Sequence, residues 1–353
     1  MKFEFTDEHE ALRDLIAEVC EREGDARSCY DHDSTIDARL WSALREAGMV
    51  GVAVPEAYEG GGAGPVEQVI IAEQLGRAAA AVPFSEHCAT TEIITHAGSD
   101  DQRKRLLVPL VRGESVGGIA LPTEANLQAV EVSPDGARWR LSGRLPLVPN
   151  AAAATLLAVP ARLDGRVRWF VTEAARVSAL PTVDRTRPAA AADFDDADAE
   201  LLAGTDATAR PGELVMTLAA AEAAGAADTA LQTTARYTTE RHQFGLPIGT
   251  FQAVKHRLAD MLVAVENARS AVYGAAWALV ESDHPARSVW LAQSVATGNA
   301  VTVVSDAIQL HGGIGVTWEC DLHLYLRRAK ALEATYGSPS SHRARIAGSL
   351  LDG

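Results

Sequence analysis

The chain has 353 residues, of which 47% are hydrophobic and 22% are charged, so it is long enough to bury a large core in two or three domains. Its net charge of −15 argues against nucleic-acid binding, which depends on clustered Lys and Arg side chains. The four cysteines show no metal-ligand spacing, and neither a signal peptide nor a long apolar stretch is evident. We therefore expect a cytoplasmic protein with no bound metal and no membrane span.

Residues 7–113 show helical apolar spacing interrupted by Gly and Pro, as at Leu12, Leu15, Ile16 and Val19. This pattern predicts an all-helical N-terminal domain over residues 1–114.

Short runs of β character follow, and they predict a middle domain over residues 115–212 that is a small antiparallel β-barrel or sandwich. The runs lie at 116–121, 129–133, 138–141, 156–160 and 167–171. The acidic, alanine-rich segment from Ala189 to Glu200 is expected to be a solvated loop.

Helical spacing returns after Pro211-Gly212. Four long helices are predicted near 213–242, 251–282, 286–311 and 318–335. Their lengths and short connections indicate an antiparallel four-helix bundle, which forms a third domain over residues 213–353.

The most informative stretch runs from Asp306 to Glu319, where three glycines follow an apolar helical run. Gly312, Gly313 and Gly315 lack Cβ atoms and permit positive φ, so a polyanionic ligand could lie against bare peptide N–H groups. Gln309, one turn earlier, offers an amide to the same ligand. Taken alone, this motif is weak, and an ordinary glycine-rich helix end is its default interpretation.

A second motif lies between two of the predicted helices, from Glu240 to Gln252. Together the two motifs resemble the R-x-x-F-G and Q-x-x-G-G-x-G segments of the acyl-CoA dehydrogenase family, and the spacing between them also matches. The N-terminal segments Gly51-Val-Ala-Val-Pro55 and Tyr58-Glu-Gly-Gly-Gly62 are similar to that family as well. The resemblance implies an α+β fold with a helical N-terminal domain, a middle β domain and a C-terminal four-helix bundle.

In that family the two segments hold the pyrophosphate and adenosine half of an FAD that sits in the neighbouring subunit. The resemblance assigns this cofactor-binding role to Arg241, Phe244, Gln252, Gln309, Gly312, Gly313 and Gly315.

The family removes the α-proton of an acyl-CoA thioester with a glutamate and passes the β-hydride to the flavin. This chain has Tyr336 at the usual position of that base and Val215 at the position that a minority of members use. A phenol with an ordinary pKa near ~10 is a poor base at neutral pH, and valine cannot accept a proton. Glu213 and Glu333 lie nearby in sequence, and we interpret both as solvated helix charges. No catalytic residue is therefore predicted.

The flavin-ring contacts are also altered. The family's T-E-P-x-A-G-S-D segment corresponds here to a segment that keeps Thr123 and continues with Glu-Ala-Asn-Leu. Its W-[IV]-[TS] triplet corresponds to Leu147-Val-Pro149, in which Pro149 lacks a backbone N–H and a hydroxyl.

The first hypothesis is therefore a non-catalytic subunit of a heteromeric acyl-CoA dehydrogenase, whose partner carries the glutamate in an α2β2 assembly. The segment from Thr317 to Arg328 resembles the actinobacterial branch that degrades steroid side chains, which implies sterol-derived acyl-CoA substrates. The family resemblance also implies electron-transferring flavoprotein as the electron acceptor.

Two alternatives stay open. One is a self-sufficient homo-oligomeric flavoenzyme with an unusual base, or a related reaction on the same fold such as nitroalkane oxidation or flavin hydroxylation. The other is a scaffold without a cofactor, although a scaffold does not need a phosphate cradle such as the one that Arg241 and the glycines indicate.

Overall fold

The computed structural model describes residues 5–136, 138–204 and 209–351. The chain divides into two units. One unit comprises Met1–Ser28, Val69–Ala80 and Met216–Gly353, and the other comprises Cys29–Gln68 and Ala81–Val215. Each unit combines segments that are distant in sequence, so the three domain boundaries inferred from the sequence stay a prediction.

The N-terminal part is helical, as predicted. Its helices are α1 (Asp7–Glu23), α2 (Ala26–Asp31), α3 (Ala38–Glu46), α4 (Pro65–Arg77), α5 (Phe84–Ala97) and α6 (Asp100–Val111). Local sequence sets their ends: Ser99 and Gln102 form a capping box at the start of α6, in which each side chain bonds the other residue's backbone N–H.

The middle of the chain forms a seven-stranded sheet, which confirms the predicted β region. Its strands are β1 (Gly117–Ile119), β2 (Val130–Asp135), β3 (Arg138–Pro149), β4 (Leu156–Leu163), β5 (Arg166–Thr172), β6 (Arg176–Leu180) and β7 (Ala189–Leu201), with the short helix α7 (Glu124–Ala129) before β2. The strand order is β1-β4-β5-β7-β3-β2, and β6 also pairs with β7. The β1–β4 pair is parallel and the other strand pairs are antiparallel.

The prediction of a solvated loop from Ala189 to Glu200 is wrong. This segment is β7, which pairs with β3, β5 and β6. Its alanines and Phe194 pack in the core, while Asp193 faces its cross-strand neighbour Arg144 with oxygens 2.8 and 3.0 Å from the guanidinium. The acidic composition therefore reflects charge pairs across the sheet, which local sequence cannot show.

The four predicted C-terminal helices are present. They are α8 (Arg210–Glu240), α9 (Gln252–Glu281), α10 (Ala286–His311) and α11 (Leu322–Thr335), and they are followed by an additional helix, α12 (Pro339–Leu351). Helix α10 packs against α9, α11 and α12.

One buried arginine connects three parts of the chain: α11, α8 and the residues just after α4. Arg328 of α11 is fully buried and donates to the carbonyls of Ala79 and Ala80, just beyond the end of α4, at 3.0 and 2.9 Å. It also lies 3.2 Å from the carboxylate of Glu222 on α8. The guanidinium therefore fills hydrogen-bonding sites at a helix end and neutralises a buried acid at the same time.

Helix α8 is long and largely apolar. Its length and composition would suffice to cross a membrane, but 94% of its most apolar 18-residue stretch is buried inside the protein. Such burial is typical of the core helix of a globular protein.

A buried histidine makes the stability of this fold depend on pH. His87 of α5 is fully buried, and its Nδ1 accepts a hydrogen bond of 3.1 Å from the Gly117 N–H. Burial lowers the pKa of His87 to about 4. The unfolded chain therefore binds a proton near its ordinary pKa of 6.5, while the folded chain does not do so until about pH 4.

Because of this histidine, we expect the free energy of unfolding to decrease by roughly 3 kcal/mol as the pH falls from 6.5 to about 4. Urea unfolding of the wild type and His87→Asn at several pH values measures the effect. The variant should show a shallower decline on the acid side, and equal slopes for both proteins would contradict the expectation.

Candidate functional site

The end of α8 leads into a tight hairpin. Strands β8 (His242–Gln243) and β9 (Leu246–Pro247) pair directly, and their two-residue turn is Phe244-Gly245. Both turn residues have positive φ, +54° and +80°, as in a type I′ turn. The Ile248 N–H donates to the Arg241 carbonyl at 2.8 Å, so the hairpin returns to the end of the same helix.

Phe244 is an unusual residue for this turn. Glycine, asparagine and aspartate normally occupy left-handed turn positions, because a bulky side chain with a Cβ atom raises the energy there. The Phe244 side chain is nevertheless 92% exposed and touches the Phe251 ring edge-on, with ring centroids 6.1 Å apart. Neither core packing nor backbone preference accounts for an exposed phenylalanine here, which is typical of a side chain that meets another molecule.

The glycine segment begins where α10 ends. Gly312 has φ +62° and ψ −137°, and the chain continues as a short 3-10 helix over Gly312–Val316. A Cβ atom at Gly312 or Gly313 would meet no atom within 4 Å, so the space beside both peptides is open. Gly315 differs, because a Cβ there would lie 2.5 Å from the Ile308 carbonyl oxygen. The first two glycines thus expose the backbone, and the third lets the segment fold against its own helix.

The structure brings these two segments together. The hydroxyl of Tyr237, one turn before Arg241, donates to the carbonyl of His311 at 3.3 Å. Arg241, Gln252 and Gln309 are exposed on this part of the protein. Within the described part of the chain, the Arg241 guanidinium has no hydrogen bond or ion pair. The two segments in contact thus carry an unpaired cation and exposed peptide groups, a combination that suits a phosphate.

The two residues that the sequence resemblance assigns to the base positions, Tyr336 and Val215, are non-acidic and buried. Tyr336 follows α11 and is 6% exposed, and Val215 in α8 is fully buried. Of the nearby acids, Glu333 forms an ion pair of 3.0 Å with Lys330, as is usual for a helix charge. Glu213 differs, since its half-buried position raises the pKa of its carboxyl and Arg210 offsets that effect only in part.

The remaining positions singled out in the sequence lie in and next to the sheet. The Thr123 hydroxyl accepts from the Asn126 N–H at 3.2 Å as the cap of α7. Leu147 is 49% exposed, and Pro149 is the last residue of β3, paired with Ala189.

Sequence reasoning missed a buried ion pair just beyond β3. The Arg187 guanidinium lies 2.6 Å from the Glu86 carboxylate, which also accepts from the Asn150 amide at 2.8 Å. These residues are 64 to 101 positions apart, so no local signal indicates the contact. The same holds for Tyr237 and His311, which are 74 positions apart.

The strain at Phe244 gives a stability prediction. Replacing Phe244 by asparagine should raise the free energy of unfolding by about 1 kcal/mol, because asparagine tolerates the left-handed conformation. Phe244→Ala is the matched control, since alanine removes the ring but retains a Cβ atom and should bring no such gain. Chemical denaturation of the three proteins measures the effect, and a stabilisation that is equal in both variants would mean that the exposed ring, rather than the backbone, is responsible.

The comparisons with known proteins agree with this geometry. The acyl-CoA dehydrogenase N-terminal domain matches residues 6–114, and the acyl-CoA dehydrogenase C-terminal domain matches residues 217–351. The acyl-CoA dehydrogenase IpdE2 of Mycobacterium tuberculosis is 32% identical over 347 residues, which cover 96% of each chain.

Two solved structures are similar over nearly their whole length. A variant of the Tcur3481-Tcur3483 steroid ACAD superimposes with a TM-score of 0.91 and 30% identity, covering 98% of both chains. The ChsE4-ChsE5 complex from Mycobacterium tuberculosis contains a chain with a TM-score of 0.92 and 28% identity, covering 100% of both chains. With these matches and the two motifs at the ends of α8 and α10, this chain belongs to the acyl-CoA dehydrogenase family, whose cofactor is FAD.

Proposed function

We propose that this chain is the non-catalytic subunit of a heteromeric acyl-CoA dehydrogenase. It supplies the pyrophosphate and adenosine half of a site for FAD that is bound mainly by a partner chain, and the partner supplies the catalytic glutamate. The observation that carries the proposal is a contrast: Arg241, Gly312 and Gly313 are present and exposed, while the two expected base positions hold the buried residues Tyr336 and Val215.

The residues at the ends of α8 and α10 suit a pyrophosphate. A guanidinium can donate two parallel hydrogen bonds to phosphate oxygens, and Arg241 is exposed for such a contact. The peptide groups of Gly312 and Gly313 are open to close approach, because no Cβ atom covers them. The exposed ring of Phe244 offers a surface that an adenine can stack on.

The part of the site that would face the flavin ring lacks the groups that the family uses there. FAD supplies the acceptor for the hydride that leaves the β-carbon of the acyl-CoA thioester. The α-proton must leave at the same time, and a buried phenol such as Tyr336 gives up and accepts protons poorly near neutral pH. At the position where the family has a hydroxyl residue, Pro149 has neither a hydroxyl nor a backbone N–H to donate. These differences fit a chain whose own site does not catalyse the dehydrogenation.

The proposed assembly is an α2β2 heterotetramer in which the C-terminal helices carry the contact between unlike chains. The partner is a second acyl-CoA dehydrogenase-like subunit, in keeping with the two-component names of the similar steroid ACAD and ChsE4-ChsE5 structures. The same similarity supports a sterol-derived acyl-CoA as the substrate of the complex. We further propose a cytoplasmic location and electron-transferring flavoprotein as the acceptor of the electrons.

A second candidate function is favoured by one acid. Glu213 is half-buried and its carboxyl has a raised pKa, and both features suit a general base. In that case the chain would be a self-sufficient enzyme, and Glu213→Gln would abolish its turnover.

The first experiment separates the two candidates. The purified chain should show no measurable acyl-CoA dehydrogenase activity with an artificial electron acceptor, because loss of a general base costs about 10²–10⁴-fold or more in rate. Tyr336→Glu should not restore activity, since the contacts around the flavin ring remain absent. Robust turnover by the pure chain that is lost in Glu213→Gln would overturn the proposal in favour of the second candidate.

The second experiment tests the cradle. Arg241→Ala should weaken FAD binding by the assembled complex by about 10- to 100-fold, because a hydrogen-bonded ion pair with phosphate is lost. Arg236→Ala is the matched control, as Arg236 is also exposed near the end of α8 but lies more than one turn before Arg241. Titration of the flavin-free complex with FAD gives both affinities, and equal affinities would argue for a surface role of Arg241.

A further inference from the structure

Two aromatic rings stack where the end of α8 contacts the end of α10, next to the two segments proposed to bind the pyrophosphate. The Tyr237 and His311 rings stack with centroids 4.1 Å apart and an angle of 17° between their planes. The Tyr237 hydroxyl also donates to the His311 carbonyl at 3.3 Å. His311 Nδ1 lies 2.8 Å from the Ala307 carbonyl, and because a carbonyl can only accept, Nδ1 carries the proton. The imidazole is therefore fixed in both orientation and tautomer.

The other side of His311 faces the glycine segment. A Cβ atom at Gly315 would lie 2.9 Å from the Cβ of His311 and 2.5 Å from the Ile308 carbonyl oxygen. The segment after α10 thus folds onto the helix turn that His311 closes, in a space that only glycine leaves open. A shift of His311 would move the peptides of Gly312 and Gly313 with it.

Tyr237 is linked by a backbone hydrogen bond to Arg241 and so to the hairpin that follows α8. The Arg241 N–H donates to the Tyr237 carbonyl at 2.9 Å, and the hairpin returns to Arg241 through the Ile248 N–H. The Tyr237–His311 stack is consequently a direct link between the end of α8, which carries Arg241, and the end of α10, which carries the glycines.

The observed contacts of the two rings are with each other and with the backbone of α10. His311 is only 7% exposed, whereas Gly312 and Gly313 are exposed and have open space beside their peptides. Any effect of the pair on ligand binding must therefore act through the groups that it holds.

We propose that Tyr237 and His311 are positioning residues that set the distance between the Arg241 guanidinium and the N–H groups of Gly312 and Gly313, so that both reach one pyrophosphate. This inference rests on the proposed function. It adds two residues that act on FAD binding without contacting the cofactor, and it predicts that the two cradle segments loosen together when the stack is lost.

The first test uses the full chain without FAD. Amide hydrogen exchange should become about three- to tenfold faster in both 242–248 and 312–317 when Tyr237 is replaced by leucine, since an aromatic pair contributes about that factor beyond its buried area. Tyr325→Leu is the matched control, because Tyr325 is partly buried and its hydroxyl donates at 2.9 Å to the carbonyl of Arg77, which belongs to neither cradle segment. The control should leave both segments unchanged.

If Tyr237→Leu does not fold, Tyr237→Phe takes its place. That variant retains a stacking ring and loses only the hydrogen bond to His311, so exchange in 312–317 should rise by about twofold or more, while Tyr325→Phe should not change it. Unchanged exchange in the glycine segment, or an equal rise in the control, would overturn the inference.

The second test measures FAD affinity in the assembled complex. Tyr237→Leu should weaken FAD by about three- to tenfold more than Tyr325→Leu does. If Arg241→Ala weakens FAD but the two tyrosine variants are equal, the positioning role is wrong and the proposed function stands. If Arg241→Ala also has no effect, the proposed function itself fails.

Discussion

The buried guanidinium of Arg328 is the interaction on which the helical unit around the candidate site depends. It joins α11 to Glu222 of α8 and to the carbonyls of Ala79 and Ala80, and it is fully screened from water. A buried charge is tolerated only when its hydrogen-bonding sites are filled, and removing one partner of a buried pair costs about 3–5 kcal/mol. Because α8 leads to Arg241 and α11 leads to Tyr336, this one contact holds the helices that carry both residues.

The residues of the proposed cradle and those at the proposed base positions differ in a physically consistent way. Arg241, Gly312 and Gly313 are exposed, and exposed groups bind an anion weakly while water competes for them. They become effective when a second surface excludes water, which a partner chain can do. Tyr336 and Val215 are buried and pack as core residues. A catalytic base, by contrast, would need access to the substrate. A chain that supports its neighbour's cofactor needs the first set and has no use for a base.

Much of this arrangement could be predicted from the sequence, because its signals are local. Apolar periodicity predicted the long helices correctly, and the glycines together with Arg241 and Phe244 predicted the two segments of the proposed cradle. The prediction failed for β7, because its acidic residues pair with arginines that are distant in sequence, as Asp193 does with Arg144 of β3, 49 positions away. The positive φ of Phe244 and the Tyr237–His311 stack were likewise invisible, since the backbone conformation and the partner ring follow from tertiary packing.

The most direct test of the central claim is the number of flavins per complex. This chain and an acyl-CoA dehydrogenase-like companion that carries the missing glutamate would be co-expressed, and the complex would be analysed by native mass measurement and flavin quantitation. Closed twofold symmetry places each Arg241 cradle beside the ring-binding strands of a companion, so two copies of each chain should hold two FAD molecules in total. One FAD for every chain, or a homotetramer of this chain that binds four, would contradict a subunit that contributes only half of a site.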